Sequence, residues 1–184
     1  MLRNTYRSWG AVAKAFHWGI AALILVQFPL GWLAVSWRLS PTKLYLFTSH
    51  KSMGILILSL AGVRLLWRLA NPVPLLPPGM ARWERLAAHA DHLALYLFMV
   101  ALPITGWIID SASNIPFRVF WLFRLPRLVG PSKSVEALFQ SVHSVLAVAL
   151  LVVLAVHIAA AFWHHYLRRD EVLVRMLPAR RSGR

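Results

Sequence analysis

Ala137-Leu-Phe-Gln-Ser-Val-His143-Ser-Val-Leu-Ala-Val-Ala-Leu-Leu-Val-Val-Leu-Ala-Val-His157-Ile-Ala-Ala-Ala-Phe-Trp163 decides the fold. Its two histidines are fourteen residues apart, close to four full helical turns, so the rings share one face within about 40°. At 1.5 Å per residue they stand roughly 21 Å apart along the axis. In a hydrocarbon core ~30 Å thick, that spacing puts one histidine in each leaflet. A titratable ring inside lipid is costly and by default marks function. Two on one stripe, at opposite depths, are the pattern for two stacked cofactors.

Composition agrees with a membrane setting. The 184-residue chain is 59% apolar, with a mean hydropathy of +0.60. That is too oily for a soluble fold of this size and fits one polytopic membrane domain, 1–184, with no room for a soluble catalytic domain. The absence of cysteine excludes thiolate iron–sulfur clusters, covalent C-x-x-C-H haem, disulfides and zinc-thiolate sites. A net charge of +14 raises the question of nucleic acid. Lys and Arg stand mostly at the ends of apolar runs, with no basic helix or RNA-binding motif. The charge therefore points to lipid headgroups, and no nucleic-acid partner is expected.

Working outward from the last run, the chain is predicted to be an all-α integral membrane four-helix bundle. Span one, about 15–35, opens on Phe16-His17-Trp18 and carries Pro29, a predicted kink. Its basic start resembles a signal peptide, but the run is too long and lacks an A-x-A exit. After a loop from Ser36 to Phe47, span two, about 48–69, places His50, Gly54, Ile57, Ala61 and Arg64 on one face. Small residues below His50 leave room for a flat macrocycle, or else serve close helix packing. Asn71 to Gly79 is a Pro-rich helix breaker.

Span three, about 85–109, begins with His89, Asp91 and His92, and Leu102-Pro103-Ile-Thr-Gly106 is expected to interrupt its later half. The loop from Asp110 to Glu136 mixes Phe117, Phe120, Trp121 and Phe123 with Arg118, Arg124, Arg127 and Lys133, as a segment lying in the interface does. Span four covers about 137–166 and ends in His164-His165-Tyr166. No internal repeat is visible.

Four spans place both chain ends on one side. That side carries thirteen Lys and Arg: Arg3, Arg7 and Lys14; Arg64, Arg68, Arg82 and Arg85; and six in the tail, among them Arg180, Arg181 and Arg184. The other side carries seven, so the positive-inside rule gives N-in, C-in. Topology then pairs the histidines by depth. His17 opens span one on the cytoplasmic side, level with His157; His50 opens span two on the far side, level with His143.

Zinc or copper would want three or four ligands converging on one point, often with carboxylate or sulfur. Four histidines in two separate pairs, with no carboxylate expected beside them, suit a metal that brings its own equatorial ligands. Haem iron needs only two axial nitrogens, so two bis-histidine haems b are the economical expectation. The bland alternative for His17 or His50 taken singly, a helix-to-helix hydrogen bond, is about as common. His89 and His92 are expected at the interface, near a haem propionate or hydrogen-bonded to quinone. Arg64 and Arg68 either snorkel or pair with propionates, and Lys51 is a similar candidate at the other face.

These residues together resemble the bacterial cytochrome b561 family, related to the cytochrome b subunits of hydrogenases and formate dehydrogenases. The matching motifs are Phe16-His17-Trp18, Ser49-His50-Lys51-Ser52-Met53-Gly54, Arg64-Leu-Leu-Trp-Arg68, His89-Ala-Asp-His92-Leu, Leu102-Pro-Ile-Thr-Gly106, His143 with His157, Ala159 to Tyr166, and Leu173-Val-Arg-Met176-Leu-Pro178. Each is weak alone; their order and spacing cover nearly the whole chain. The resemblance implies a compact diheme protein of the bacterial inner membrane with His17, His50, His143 and His157 as axial ligands. It also implies quinone as electron partner and, in some compact members, superoxide as donor. Two rivals stay open: a subunit relaying electrons between quinone and a separate dehydrogenase or reductase, and a cofactor-free tetraspan transporter or assembly protein.

Overall fold

The computed structural model describes residues 1–77 and 79–178; Arg180, Arg181 and Arg184, counted above for orientation, lie outside them. Among the described residues, four helices are long and apolar enough to cross a membrane. They are α1 (Ala11–Ser36), α2 (Pro41–Leu69), α3 (Arg82–Ser113) and α4 (Lys133–Trp163). A π-helical turn, His164–Arg168, and a short α5, Val172–Met176, follow. Neighbours pack in chain order, α1 on α2, α2 on α3 and α3 on α4.

Helices α2, α3 and α4 begin earlier than the apolar runs that predict them, because polar groups cap their starts. Ser40 accepts a hydrogen bond from the Lys43 amide and Pro41 occupies the first turn, so α2 starts seven residues before Thr48. Lys43 Nζ then reaches back to the Val35 and Trp37 carbonyls, 3.0 Å each, satisfying the open end of α1. The predicted loop Ser36–Phe47 shrinks to four residues, 37–40. Ser132 caps α4 through the Val135 amide, and the Glu84 carboxylate accepts the Ala81 amide at the start of α3.

One expectation is corrected. Leu102-Pro103-Ile-Thr-Gly106 does not interrupt α3, which is helical through Ser113. Pro103 lacks the N–H that would bond the Met99 carbonyl, and α3 continues past this one missing bond; separately, the Thr105 hydroxyl donates to the Leu102 carbonyl at 2.8 Å.

Little of each span is buried within the chain, as lipid-facing helices require. The core is a small cluster of Ile20, Ile24, Ile57, Ala61, Met99 and Leu150, while Leu25, Val145, Val152 and Val156 stand exposed. The N-terminal segment and the described C-terminal segment, residues 164–178, gather at one end of the bundle with the α2–α3 connection. Trp18 Nε1 donates to the Met176 carbonyl, Arg175 to the Leu75 carbonyl, and Arg168 pairs with Glu84. We call this the terminal end. The other, loop end is covered by residues 114–132, where Phe120 and Trp121 take positive φ (46° and 62°). That strained turn is pinned by the Phe120 amide on Ser52 Oγ, 2.7 Å, and by Tyr45 against Trp121.

Candidate functional site

Two pairs of imidazoles face each other inside the bundle. At the terminal end, the ring centroids of His17 (α1) and His157 (α4) are 6.3 Å apart. At the loop end, His50 (α2) and His143 (α4) are also 6.3 Å apart. The planes are tilted by 51° and 73°, so neither pair is stacked. Two imidazole–metal bonds of about 2.0 Å, plus about 1.15 Å from each nitrogen to its ring centre, span about 6.3 Å. Each pair therefore fits a single iron that carries its own planar ring.

Hydrogen bonds on the far nitrogens turn the near ones inward. The Leu102 carbonyl can only accept, so the Thr105 hydroxyl donates to it and uses its lone pair for His143 Nδ1–H, 2.8 Å away. His143 Nε2 is left with a free lone pair. Asp91 Oδ2 lies 2.7 Å from His157 Nδ1, fixing the same tautomer there. Both α4 histidines are thus poised to ligate through Nε2. On the opposite faces, Arg64 Nη2 sits 3.3 Å from His17 Nδ1, and His50 Nδ1 is buried with no hydrogen-bond partner among the described residues.

Asp91 and Thr105 are the functional residues that sequence reasoning missed, and Asp91 overturns the expectation of no carboxylate beside the histidines. Their signal was spacing. Asp91 and Thr105 are fourteen residues apart on α3, matching His143 and His157 on antiparallel α4. His17 and Gly31 on α1 repeat that spacing against His50 and Arg64 on α2. Antiparallel neighbours with equal spacings meet at both levels. Gly31 is therefore opposite His50, where a Cβ would come within 2.8 Å of the ring.

The other candidates fall around this frame. Lys51 pairs with Asp110 at 2.7 Å and lies over Phe117, tying the loop end together. Gly54 faces Gln27, whose amide donates to the His50 carbonyl at 3.0 Å. Arg64 and Arg68 both lie over the Tyr96 ring, at 5.6 and 5.9 Å. His92 is deeper than an interfacial residue, its ring 5.8 Å from that of His157. Asp91, His92 and His157 offer ligand atoms within 4.8 Å of one another, but Asp91 is already engaged in orienting His157. His164 bonds Asp170 at 2.5 Å in the π-helical turn.

A family described as prokaryotic cytochrome b561 matches residues 8–179, nearly the whole chain. The chain belongs to the prokaryotic cytochrome b561 family. It is 34% identical to cytochrome b561 homolog 2 of Escherichia coli over 95% of this chain and 93% of that one. Identity to homolog 1 of the same organism is 28%, over 90% and 94% of the two chains. A probable superoxide oxidase, CybB, of Yersinia pestis is 27% identical over 96% of this chain and 99% of its own. This cytochrome b561 is accordingly a haem b-binding, electron-transferring, multi-pass protein of the bacterial inner membrane. The cofactor-free tetraspan is set aside.

Proposed function

We propose that this cytochrome b561 moves electrons across the membrane through two haems b, from superoxide at the loop end to a quinone. His17 with His157 would hold one haem, and His50 with His143 the other. One observation carries this: two histidine pairs with the same 6.3 Å separation, at two levels of one helix four turns apart. Among the described residues, Lys and Arg are in excess toward the terminal end, which orients it to the cytoplasm.

When bound, haem b supplies one-electron Fe(III)/Fe(II) exchange. The protein's own residues set its terms. With His17 and His157, or His50 and His143, both holding the iron, a donor would exchange electrons without binding to it. Asp91 and Arg64 place opposite charges behind one of the histidine pairs. Arg118, Arg124, Arg127 and Lys133 are all exposed at the loop end and give an anionic donor an attractive field. Two superoxide ions would leave as two O2, and one quinone plus two protons would become one quinol. The relative named as a probable superoxide oxidase supports this choice of donor.

A reduced-minus-oxidised spectrum with pyridine haemochrome quantification tests the frame. The expected result is two haems b per chain, with His143→Ala and His157→Ala each losing a different one. A single haem in the unmodified protein would make one pair structural and remove the transmembrane path.

A further inference from the structure

Because the spans pack in chain order, α1 and α4 are the two edges of the array. The loop-end histidines sit on α2 and α4, and α3 packs against both, so one helix holds that pair to a common scaffold. The terminal-end histidines sit on α1 and α4, which do not pack closely on each other among the described residues. Their separation is set through three successive helix interfaces. That edge is the weaker one unless something closes it.

The chain beyond α4 runs back across this edge. The π-helical turn His164–Arg168 ends at Arg169, whose φ of 53° is left-handed. Asp170 holds the reversal, accepting from His164 Nδ1 at 2.5 Å and from the Val172 amide at 3.0 Å. Arg168 pairs with the buried Glu84 carboxylate at the start of α3, and Arg175 donates to the Leu75 carbonyl between α2 and α3 at 2.9 Å. On α1, Lys14 Nζ donates to the Leu177 carbonyl at 2.7 Å and Trp18 Nε1 to the Met176 carbonyl at 2.9 Å. A tryptophan at the end of a span ordinarily turns its N–H to the headgroup region. Trp18 gives its N–H to the chain instead, and its ring stands edge-on to His17, 5.1 Å between centroids at 83°. The segment thus begins seven residues after His157 and reaches His17 through Trp18.

We propose that residues 164–178 are a clasp that joins α1 to α4 and closes the terminal-end site around its haem, with Trp18 as the positioning residue of His17. This rests on the bis-histidine reading above and adds a difference between its two sites. The terminal-end haem is taken up and released at the α1–α4 edge with the clasp open; the loop-end haem needs no such opening. The acceptors at 176 and 177 are main-chain carbonyls that any sequence offers, so the donors Lys14, Trp18 and Arg175 carry the specificity. No residue of the π-helical turn or of α5 is buried, so the clasp opens by breaking separate hydrogen bonds and not by exposing a core.

The test uses the haem-loaded protein in phosphatidylcholine nanodiscs, mixed with excess apomyoglobin, which takes up released haem and reports it in the Soret band. His143→Ala and His157→Ala assign the release phases to the two ends. Trp18→Phe keeps an aromatic ring beside His17 and removes the donor to Met176; Arg175→Leu removes the donor to Leu75. In each, terminal-end release is expected to quicken about three- to tenfold, the scale of one ordinary hydrogen bond. The loop-end haem of the same molecules should leave at its unmodified rate, which reports the fold intact. Trp18→Leu also removes the ring packed on His17. It should in addition shift the largest g value in the low-spin EPR spectrum of the terminal-end haem, which follows the angle between the imidazole planes, and Trp18→Phe should not.

Histidine variants that fail to remove one different haem each would end the bis-histidine reading and the clasp with it. With that reading intact, release unchanged in both Trp18→Phe and Arg175→Leu, or quickened equally at both ends, would overturn the clasp alone. An unshifted g value in Trp18→Leu would overturn the positioning role of Trp18.

Discussion

The two histidine pairs share a separation and differ in everything behind it. At the terminal end, charge touches the rings: Arg64 at His17 Nδ1 and Asp91 at His157 Nδ1. At the loop end nothing charged does. His143 bonds the neutral Thr105 hydroxyl, His50 Nδ1 has no partner among the described residues, and the backbone of Gly31 closes on the His50 ring. The charge of that end is moved outward, to the Lys51–Asp110 pair and to four exposed basic residues between Arg118 and Lys133. Helix packing sets the separation of the rings at both levels, and electrostatics differs between them. On the proposed function, one end would adjust how tightly an electron is held, and the other how often a donor arrives.

The largest effect expected of this division is a haem lost from one end only. In Gly31→Ala, the new Cβ would stand 2.8 Å from His50 Cε1 and 3.1 Å from Nδ1, closer than carbon and ring can pack. His50 must swing away, while His17 and His157 are untouched. About half of the bound haem is expected to disappear, read by pyridine haemochrome. Gly19→Ala on the same helix, with nothing within 4 Å of its Cβ, should lose none. Haem lost equally from both ends would show the pairs to be one cooperative unit and end the comparison.

The four helices and both histidine pairs were legible in the sequence because hydropathy and a fourteen-residue spacing are one-dimensional signals. What stood behind the rings was less so. Asp91 sits two residues from His89 near a Pro-rich loop, so its polarity reads as interfacial until α3 and α4 are placed in register. Thr105 follows Pro103 and reads as part of a helix breaker, although its hydroxyl donates to the Leu102 carbonyl and orients His143. Gly31 carries no chemistry to notice; only the partner across α1 and α2 gives it a role. The early starts of α2 and α4 escaped an apolar window because Ser40, Pro41 and Ser132 act through capping, not hydropathy.

Asp91→Asn probes the charged end directly. The carboxylate accepts from His157 Nδ1 through Oδ2, while its Oδ1 is buried without a partner among the described residues, a costly arrangement unless the charge itself is used. A negative charge behind the ligand stabilises Fe(III), so its removal raises the potential. The terminal-end haem is expected to shift upward by about 60–120 mV, the one-electron equivalent of the 10- to 100-fold effect of such outer partners. The loop-end haem should not move in the same redox titration; if it moved alone, the depth pairing would be reversed.

The complementary change at the surface should alter rate and leave both potentials in place. Arg118 and Arg124 are exposed, whereas Arg127 is held by Asn114 at 2.5 Å. Neutralising Arg118 and Arg124 to Gln is expected to slow reduction by superoxide about tenfold at low ionic strength. The difference should vanish as salt shortens the screening length. Rates that respond to the substitution but not to salt would mean the two arginines contact the donor rather than steer it.

Thr105→Val carries the smallest expected effect and the sharpest test of the neutral end. Valine keeps the shape of threonine and removes the hydroxyl, so His143 Nδ1–H and the Leu102 carbonyl both lose a partner. No charge leaves the site, so the electrostatic argument allows only a small shift, at most about 40 mV for the ~1 kcal/mol a neutral hydrogen bond is worth. The effect should instead fall on orientation: His143 loses the bond that fixes its tautomer, and the loop-end haem should bind less firmly and dissociate faster at constant potential. A shift as large as that of Asp91→Asn would mean that the hydroxyl holds charge density comparable to a carboxylate, and the contrast between the two ends would then be one of chemistry and not of charge.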